Sequence, residues 1–588
     1  MAAFLYAWGD VRRVGAGRYL TPGRMYRWCC WFRDVKPLLW MTLHEKQEQM
    51  AEATERLIYE HLGEEALLYL LAVDEDQLHD RFGDAGSPLT AEQEAVLSQL
   101  VLIDEQMRTW QQPEEQLSHE WSRRLTERPE SSELSLGNVA RQISGGFLVA
   151  APTGLGALEE CLARLTLECF PALIVKEPEG PFGRMGLPVS LKHPLDLSFQ
   201  DLVMQDAELA RLFPNKNGSS GRGGSTFRSS GQGGSHQLWI FGATLIASGW
   251  RLARVKSVSP TPEELVESVL EGLLIIRRAM SGDETTIPAR VGLTGVLLPD
   301  SVDRIDLGWA VIRKVDERDE QFIKVTSLEG QLTTTTAEGK NVVINYSGDL
   351  VLELEVPYLV RLVQLDIAAD WPNELHVAYL KLEAIIQNVR LGLLLACPDL
   401  RPILIPTWQA ILDPLTQGTG AGWVDAKHTP GLIPTRLTEA QASEWKIWAT
   451  NIQVHRIPTI GVAIRRMLAS IAERRSPDDV LVDAVIVWEN LFGAKTETTL
   501  RVSSSLAWLL GNSSADRRMR QTRYKKIYGI RSDVVHGAAA VNPTRLQEFS
   551  MEAVQISIDA LRALFGTHVA LLGIETSEER SLQIMHEG

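Results

Sequence analysis

Near the end of the sequence, Tyr528-Gly-Ile-Arg531-Ser-Asp-Val-Val-His536-Gly537 places an arginine and a histidine five residues apart. The pair suits cleavage of RNA by its own 2′-hydroxyl. That hydroxyl must lose a proton as it attacks the neighbouring phosphate, and histidine changes charge near neutral pH. The phosphorane gains negative charge, and arginine offers a permanently charged fork that binds two oxygens at once. The products would be a 2′,3′-cyclic phosphate and a 5′-hydroxyl, and no metal or other cofactor is required. None of the twelve histidines falls in an H-E-x-x-H spacing, so no catalytic metal is expected.

Five residues on a regular helix turn through about 140°, so the pair shares a face only at a helix end or break. Gly529 and Gly537 bracket it and could supply one. Upstream lie Arg517, Arg518, Arg520, Arg523, Lys525 and Lys526; with Arg531 they make seven basic residues and no acid between 517 and 531. The whole chain has a formal charge of −16, which argues against a protein that coats nucleic acid without preference. The basic run is therefore the expected RNA-binding surface.

The elements around this pair read as a bundle. Ser476-Pro477-Asp478-Asp479 predicts a helix start: an N-cap hydroxyl, proline at the first position and acids at the positive end of the dipole. The helix it opens, 477–492, is apolar almost all round, which makes it central. It nevertheless carries Asp483 and Glu489. A carboxylate near a helix C-terminus needs a cationic partner, and Arg531 is the natural one for Glu489. Thr438-x-x-Gln441 predicts a capping box, and Asn542-Pro543 starts a last helix to about 565. Four or five helices are expected between 438 and 565.

The rest of the chain sets the fold class. With 588 residues, 45% apolar and 23% charged, it is neither disordered nor fibrous. No apolar run reaches the ~18 to 20 clean residues of a membrane span. Five cysteines without a C-x-x-C pair fit a reducing cytoplasm rather than a disulfide scaffold or zinc ribbon. Residues 1–40 read as an N-terminal extension, with Met41 a plausible true start. Residues 41–140 read as helical, with runs at 42–75 and 90–111 and a polar linker at 112–137. Residues 141–358 read as a mixed, β-rich domain containing a disordered Gly/Ser loop at 215–235. Within it, 238–280 begins strand-like and ends helical, and Ser347-Gly348-Asp349 predicts a hairpin joining 341–346 to 351–356. Residues 359–437 read as a helical, Pro/Gly-rich connector, and 438–575 as the bundle. The expected class is α+β and multidomain.

The segment from Ser476 to Gly537 resembles the C-terminal HEPN domain of the ApeA-like family. The resemblance rests on the Asp-rich helix start, Trp488-Glu489-Asn490-Leu491, the serine-rich Val502-Ser-Ser-Ser-Leu506, and above all Ile527-Tyr-Gly-Ile-Arg-Ser-Asp-Val-Val-His-Gly537. It covers about a quarter of the chain. It implies an all-α bundle, an R-x4-H motif made of Arg531 and His536, and a homodimer or higher homo-oligomer in which two motifs form one cleft. It also implies an RNA substrate, no membrane, and a role in antiphage defence set off by a phage-derived or cellular trigger. Ser532 or Asp533 takes the polar position after the arginine, and Glu489 the acidic position on the preceding helix. The alternative is a non-catalytic HEPN module that dimerises or binds RNA or a nucleotide, with sensing in the β-rich middle.

Overall fold

Apolar residues at helical spacing shape the first third of the protein. The computed structural model describes residues 56–82, 88–109, 114–130, 132–177, 193–213, 224–229, 233–326, 331–335, 341–345, 348–362, 377–416, 421–423, 434–537 and 542–587. The chain divides into two compact units, Met1–Leu57 and Ile58–Gly588. Every element named below belongs to the second. The expected extension at 1–40 and the start of the first helical run lie outside the described residues.

Among the described residues the helices of the first half include α1 (Glu64–Leu71), α2 (Glu75–Phe82), α3 (Ala91–Thr109), α4 (Glu114–Leu125), α5 (Leu136–Ile143), α6 (Ala157–Leu173), α7 (Pro194–Gln205), α8 (Phe241–Lys256) and α9 (Pro262–Ser281). Helix α4 occupies the stretch expected to be a polar linker. Leu117, Trp121 and Leu125 recur every four residues there and are all buried, a stripe hidden in the sequence by the polar residues around it. Helix α8 replaces the strand-like reading of its residues. Every residue in it except Arg254 and Lys256 is buried, and an apolar run buried all round carries no period by which to tell helix from strand.

The strands among the described residues are numbered in chain order as well. They are β1 (Gly224–Ser229), β2 (Gly233–Gln237), β3 (Thr286–Thr294), β4 (Val296–Leu297), β5 (Arg304–Asp306), β6 (Ala310–Lys314), β7 (Gln331–Thr335), β8 (Asn341–Asn345), β9 (Leu350–Pro357), β10 (Val360–Leu362), β11 (Ile405–Ile411), β12 (Ala421–Trp423) and β13 (Thr435–Arg436). Short helix α10 (Glu320–Thr326) and long helix α11 (Val377–Ala396) fall between them. Six strands form one sheet in the order β12-β11-β3-β9-β6-β5, antiparallel throughout. On its central pair Ile287 faces Val356 and Ala289 faces Leu354, all four buried. Gly292 of β3 lies under the indole of fully buried Trp408; a Cβ there would come within 2.2 Å of the ring.

Three expectations for this region change. The hairpin joins β8 to β7 rather than to β9, because β9 is claimed on both edges by β3 and β6. The supposed connector contributes β11 to the sheet. Part of the Gly/Ser stretch forms a β1–β2 hairpin extended by β10. A ladder of main-chain hydrogen bonds needs no large side chains, and Ser229 is anchored by donating its hydroxyl to buried Asp413.

The C-terminal part is all helix: α12 (Glu439–His455), α13 (Gly461–Ala472), α14 (Pro477–Phe492), α15 (Thr498–Leu510), α16 (Ser514–His536), α17 (Pro543–Gly566) and α18 (Ser577–Glu587). Six of these lie between 438 and 566, more than the sequence reading counted. The Thr438–Gln441 capping box is present, and Asn542 caps α17 by accepting from Thr544 N and Arg545 N. Ser476 does begin α14, but its hydroxyl bonds the Asp478 carboxylate instead of a backbone amide. Two main cores result. One spans the early helices and the sheet, the other the bundle. Helix α11 serves both, giving Leu382, Ile386 and Val389 to the first and Leu391, Leu394 and Leu395 to the second. Its Gly392 lets the α12 backbone approach, since a Cβ would meet Ala449 at 2.7 Å. The protein is thus α+β and mostly helical, with an antiparallel sheet in the middle and helices at the C-terminus. Among the described residues no helix is long and apolar enough to cross a membrane.

Candidate active site on the C-terminal bundle

Helix α14 is the post on which the site is built. Leu481, Ala484, Val485, Val487, Trp488, Leu491 and Phe492 are buried in the bundle core. The two carboxylates beyond its first turn, Asp483 and Glu489, are handled differently. Asp483 is 2% exposed and is bound by Arg466 at 2.8 Å and Arg474 at 2.6 Å, two cations that make its burial tolerable. Glu489 sits nearer the surface. Its Oε1 accepts from the Tyr528 hydroxyl at 2.5 Å, and its Oε2 lies 3.5 Å from Arg531 Nη2. The pairing expected for Glu489 is therefore present, and a tyrosine shares it.

The neighbours in Trp488-Glu489-Asn490-Leu491 also have separate tasks. Trp488 Nε1 donates to Ser557 at 2.9 Å. Asn490 accepts from Ala463 N at 3.0 Å, which fixes the start of α13. In the serine-rich stretch, Ser504 accepts from Gln521 Nε2 at 2.7 Å and so links α15 to α16.

Helix α16 carries the motif. Ser513 caps its start, and it runs without interruption through Gly529 to His536. It ends where Gly537 adopts a left-handed φ of 65°. Gly529 supplies no break, and the end of the helix comes only after the histidine. Tyr524 and Ile527 turn into the core, and Arg531 follows on that side with its side chain 20% exposed. His536 is exposed. The two lie about 140° and about 7.5 Å apart on one helix, so a single protomer does not bring them onto one face. Ser532 is half-buried and Asp533 exposed. Among the described residues the one ion pair of Arg531 is with Glu489, so neither Ser532 nor Asp533 orients it. The Nε of Arg531 is buried and has no hydrogen-bond partner there.

Tyr528 is the participant whose role the sequence reading missed. Burial, then the Glu489 carboxylate, push its phenol up to about 12, with Arg531 acting in the opposite direction. It remains a neutral donor to Glu489 over the physiological range. Its spacing of three from Arg531 on a helix was the available signal.

The basic run divides on inspection. Arg517 stacks on Trp508, 3.6 Å from the ring centre, and donates to Gly511 O at 3.2 Å. Arg520 pairs with Asp516 at 2.9 Å, and Arg523 is held by Glu552 and lies over Phe549. Arg518, Lys525 and Lys526 are exposed, the last with its ammonium 5.7 Å from the Phe549 ring centre. Arg518, Thr522, Lys525, Gly529, Ser532 and His536 step by four, three, four, three and four along α16. They therefore form one stripe, which carries two of the exposed cations to the histidine. No family model, curated protein or solved structure was found to match the chain.

Proposed function

We propose that the protein is a metal-independent RNA endonuclease of the HEPN type, acting as a toxin-like effector in antiphage defence. The observation that carries this reading is the split on α16. Arg531 is held from behind by Glu489, whose other oxygen accepts from Tyr528, while His536 is exposed at the end of a stripe with Arg518 and Lys525. The imidazole of His536 takes the proton of the 2′-hydroxyl, whose oxygen attacks phosphorus. Arg531 balances the charge that accumulates on the phosphorane oxygens. The P–O5′ bond then breaks, and the departing 5′-oxygen receives a proton. A 2′,3′-cyclic phosphate and a 5′-hydroxyl result.

Because Arg531 and His536 diverge within one protomer, the active unit is a two-fold dimer. Apposed α16 helices would present each motif twice, and the second His536 would supply the leaving-group proton. The same divergence favours one other reading, in which the bundle binds RNA through its basic stripe and does not cut. Incubation of the purified protein with total RNA in EDTA separates the two. New fragments ending in 2′,3′-cyclic phosphate are the expected outcome; intact RNA that nevertheless co-purifies with the protein would select the binding module.

A further inference from the structure

A cavity of about 430 Å³ opens among the early helices, far in sequence from the basic bundle. That volume falls in the ~300–1,000 Å³ range of small-ligand sites. Its wall includes Leu148 and Val149, from the short apolar run before α6, and Leu167 of α6. His193, just before α7, also lines it and is only 4% exposed.

The histidine's two nitrogens are in different situations. Nδ1 accepts the backbone N–H of Leu195 at 3.3 Å, as the N-cap of α7. A nitrogen that accepts carries no proton, so the proton of the neutral ring sits on Nε2. Burial, ahead of the opposing Glu168 carboxylate, lowers the ring's pKa, so it is neutral near pH 7. Nε2 is itself buried and has no partner among the described residues. A buried donor without an acceptor is a rare arrangement in folded proteins and one that a ligand oxygen would relieve.

Charges of both signs surround that donor. Glu168 is 9% exposed; its Oε2 accepts from Ser135 N at 2.6 Å and Asn138 Nδ2 at 3.0 Å. Arg128 is already paired with Glu133 at 2.9 Å. Arg164 and Glu160 line the cavity at its exposed side, and no ion pair engages Arg164 among the described residues. Beside the Arg128–Glu133 pair, the lining thus offers an inner N–H donor, the Arg164 guanidinium, the Glu160 and Glu168 carboxylates and an apolar wall.

We propose that this cavity binds a small zwitterion of the amino-acid or dipeptide type. Its carboxylate is taken by His193 Nε2–H and Arg164, its ammonium faces Glu168 and Glu160, and its apolar side chain rests on Leu148, Val149 and Leu167. The proposal is independent of the RNA-cleavage reading. It is tested by titrating the full chain with L-leucyl-L-leucine, with the N-acetyl derivative and with the amide derivative, by calorimetry. The free dipeptide is expected to bind saturably, and each blocked derivative to bind about tenfold or more weakly. His193→Asn keeps an N-cap acceptor for Leu195 N but removes Nε2–H, and Arg164→Gln removes the guanidinium. Each is expected to lose about tenfold in affinity. Should His193→Asn also lower the melting temperature, the exposed Arg164→Gln carries the test alone. No saturable binding at millimolar dipeptide would overturn the proposal, as would equal binding by the acetylated form or wild-type affinity in Arg164→Gln.

Discussion

At Arg531 and His536 one helix carries a guanidinium paired with Glu489 and an exposed imidazole. His536→Ala removes an exposed side chain, so the fold should survive while RNA cleavage drops by ~10² to 10⁴. Arg531→Lys keeps the charge but loses the fork, and should cost a similar factor with less disturbance of Glu489 than Arg531→Ala. Circular dichroism on each variant, beside the RNA assay, checks both expectations. Tyr528 gives a prediction about stability. Its phenol rises to about 12 in the fold against about 10 in an unfolded chain. Its hydrogen bond therefore contributes fully below pH ~10 and fades as the pH climbs through the folded value. Tyr528→Phe should cost about 1.5 kcal/mol near neutrality, measured by urea unfolding, with a smaller difference at pH 11 or above. An equal difference at both pH values would remove Tyr528 from the Glu489 contact. The pairing of Glu489 with Arg531 was legible in the sequence because a carboxylate on a helix apolar all round needs a cation. The part played by Tyr528 was not, because a tyrosine on a helix is as often simple core.

Helix α16 as an element is less free to bind RNA than its composition implies. A run of cations in sequence says nothing about distant groups that neutralise it. Arg523 meets Glu552, twenty-nine residues on, and Arg517 stacks on Trp508 of the preceding helix. Neutralising Arg518, Lys525 and Lys526 should lower the log–log salt dependence of single-stranded RNA binding by about 2, at ~0.7 per contact. Neutralising Arg520 and Arg523 should chiefly reduce stability and leave that slope in place. Filter binding at several salt concentrations distinguishes the two sets. The reverse outcome would move the RNA off these three exposed cations. The same physics explains which elements the sequence disclosed. Helices α12 and α17 announce themselves by their caps, and α14 by the proline and acids of its first turn. By contrast, α8 is buried on all sides and has no period, and β1–β2 is held by backbone pairing that leaves no trace in side-chain pattern.

For the whole molecule, the net charge is −16, so on the proposed function RNA would be steered to the outward basic stripe of α16 rather than adsorbed generally. The α+β class and the all-helical C-terminus could be read from the sequence. The six-stranded order could not, because β3, β9 and β11 are brought together from more than a hundred residues of chain. The central claim is RNA cleavage by a site to which two protomers each give a histidine. Light scattering should accordingly find at least two protomers per particle. The most direct measurement uses a mixed dimer, co-expressed with two different tags and purified through both, that joins one wild-type protomer to one His536→Ala protomer. Assayed on RNA in EDTA, it should be nearly as inactive as the folded His536→Ala dimer, with only wild-type pairs producing cyclic-phosphate ends. A mixed dimer retaining about half the wild-type rate would mean independent protomers and contradict the shared site, and a folded His536→Ala dimer cutting at the wild-type rate would place the chemistry elsewhere.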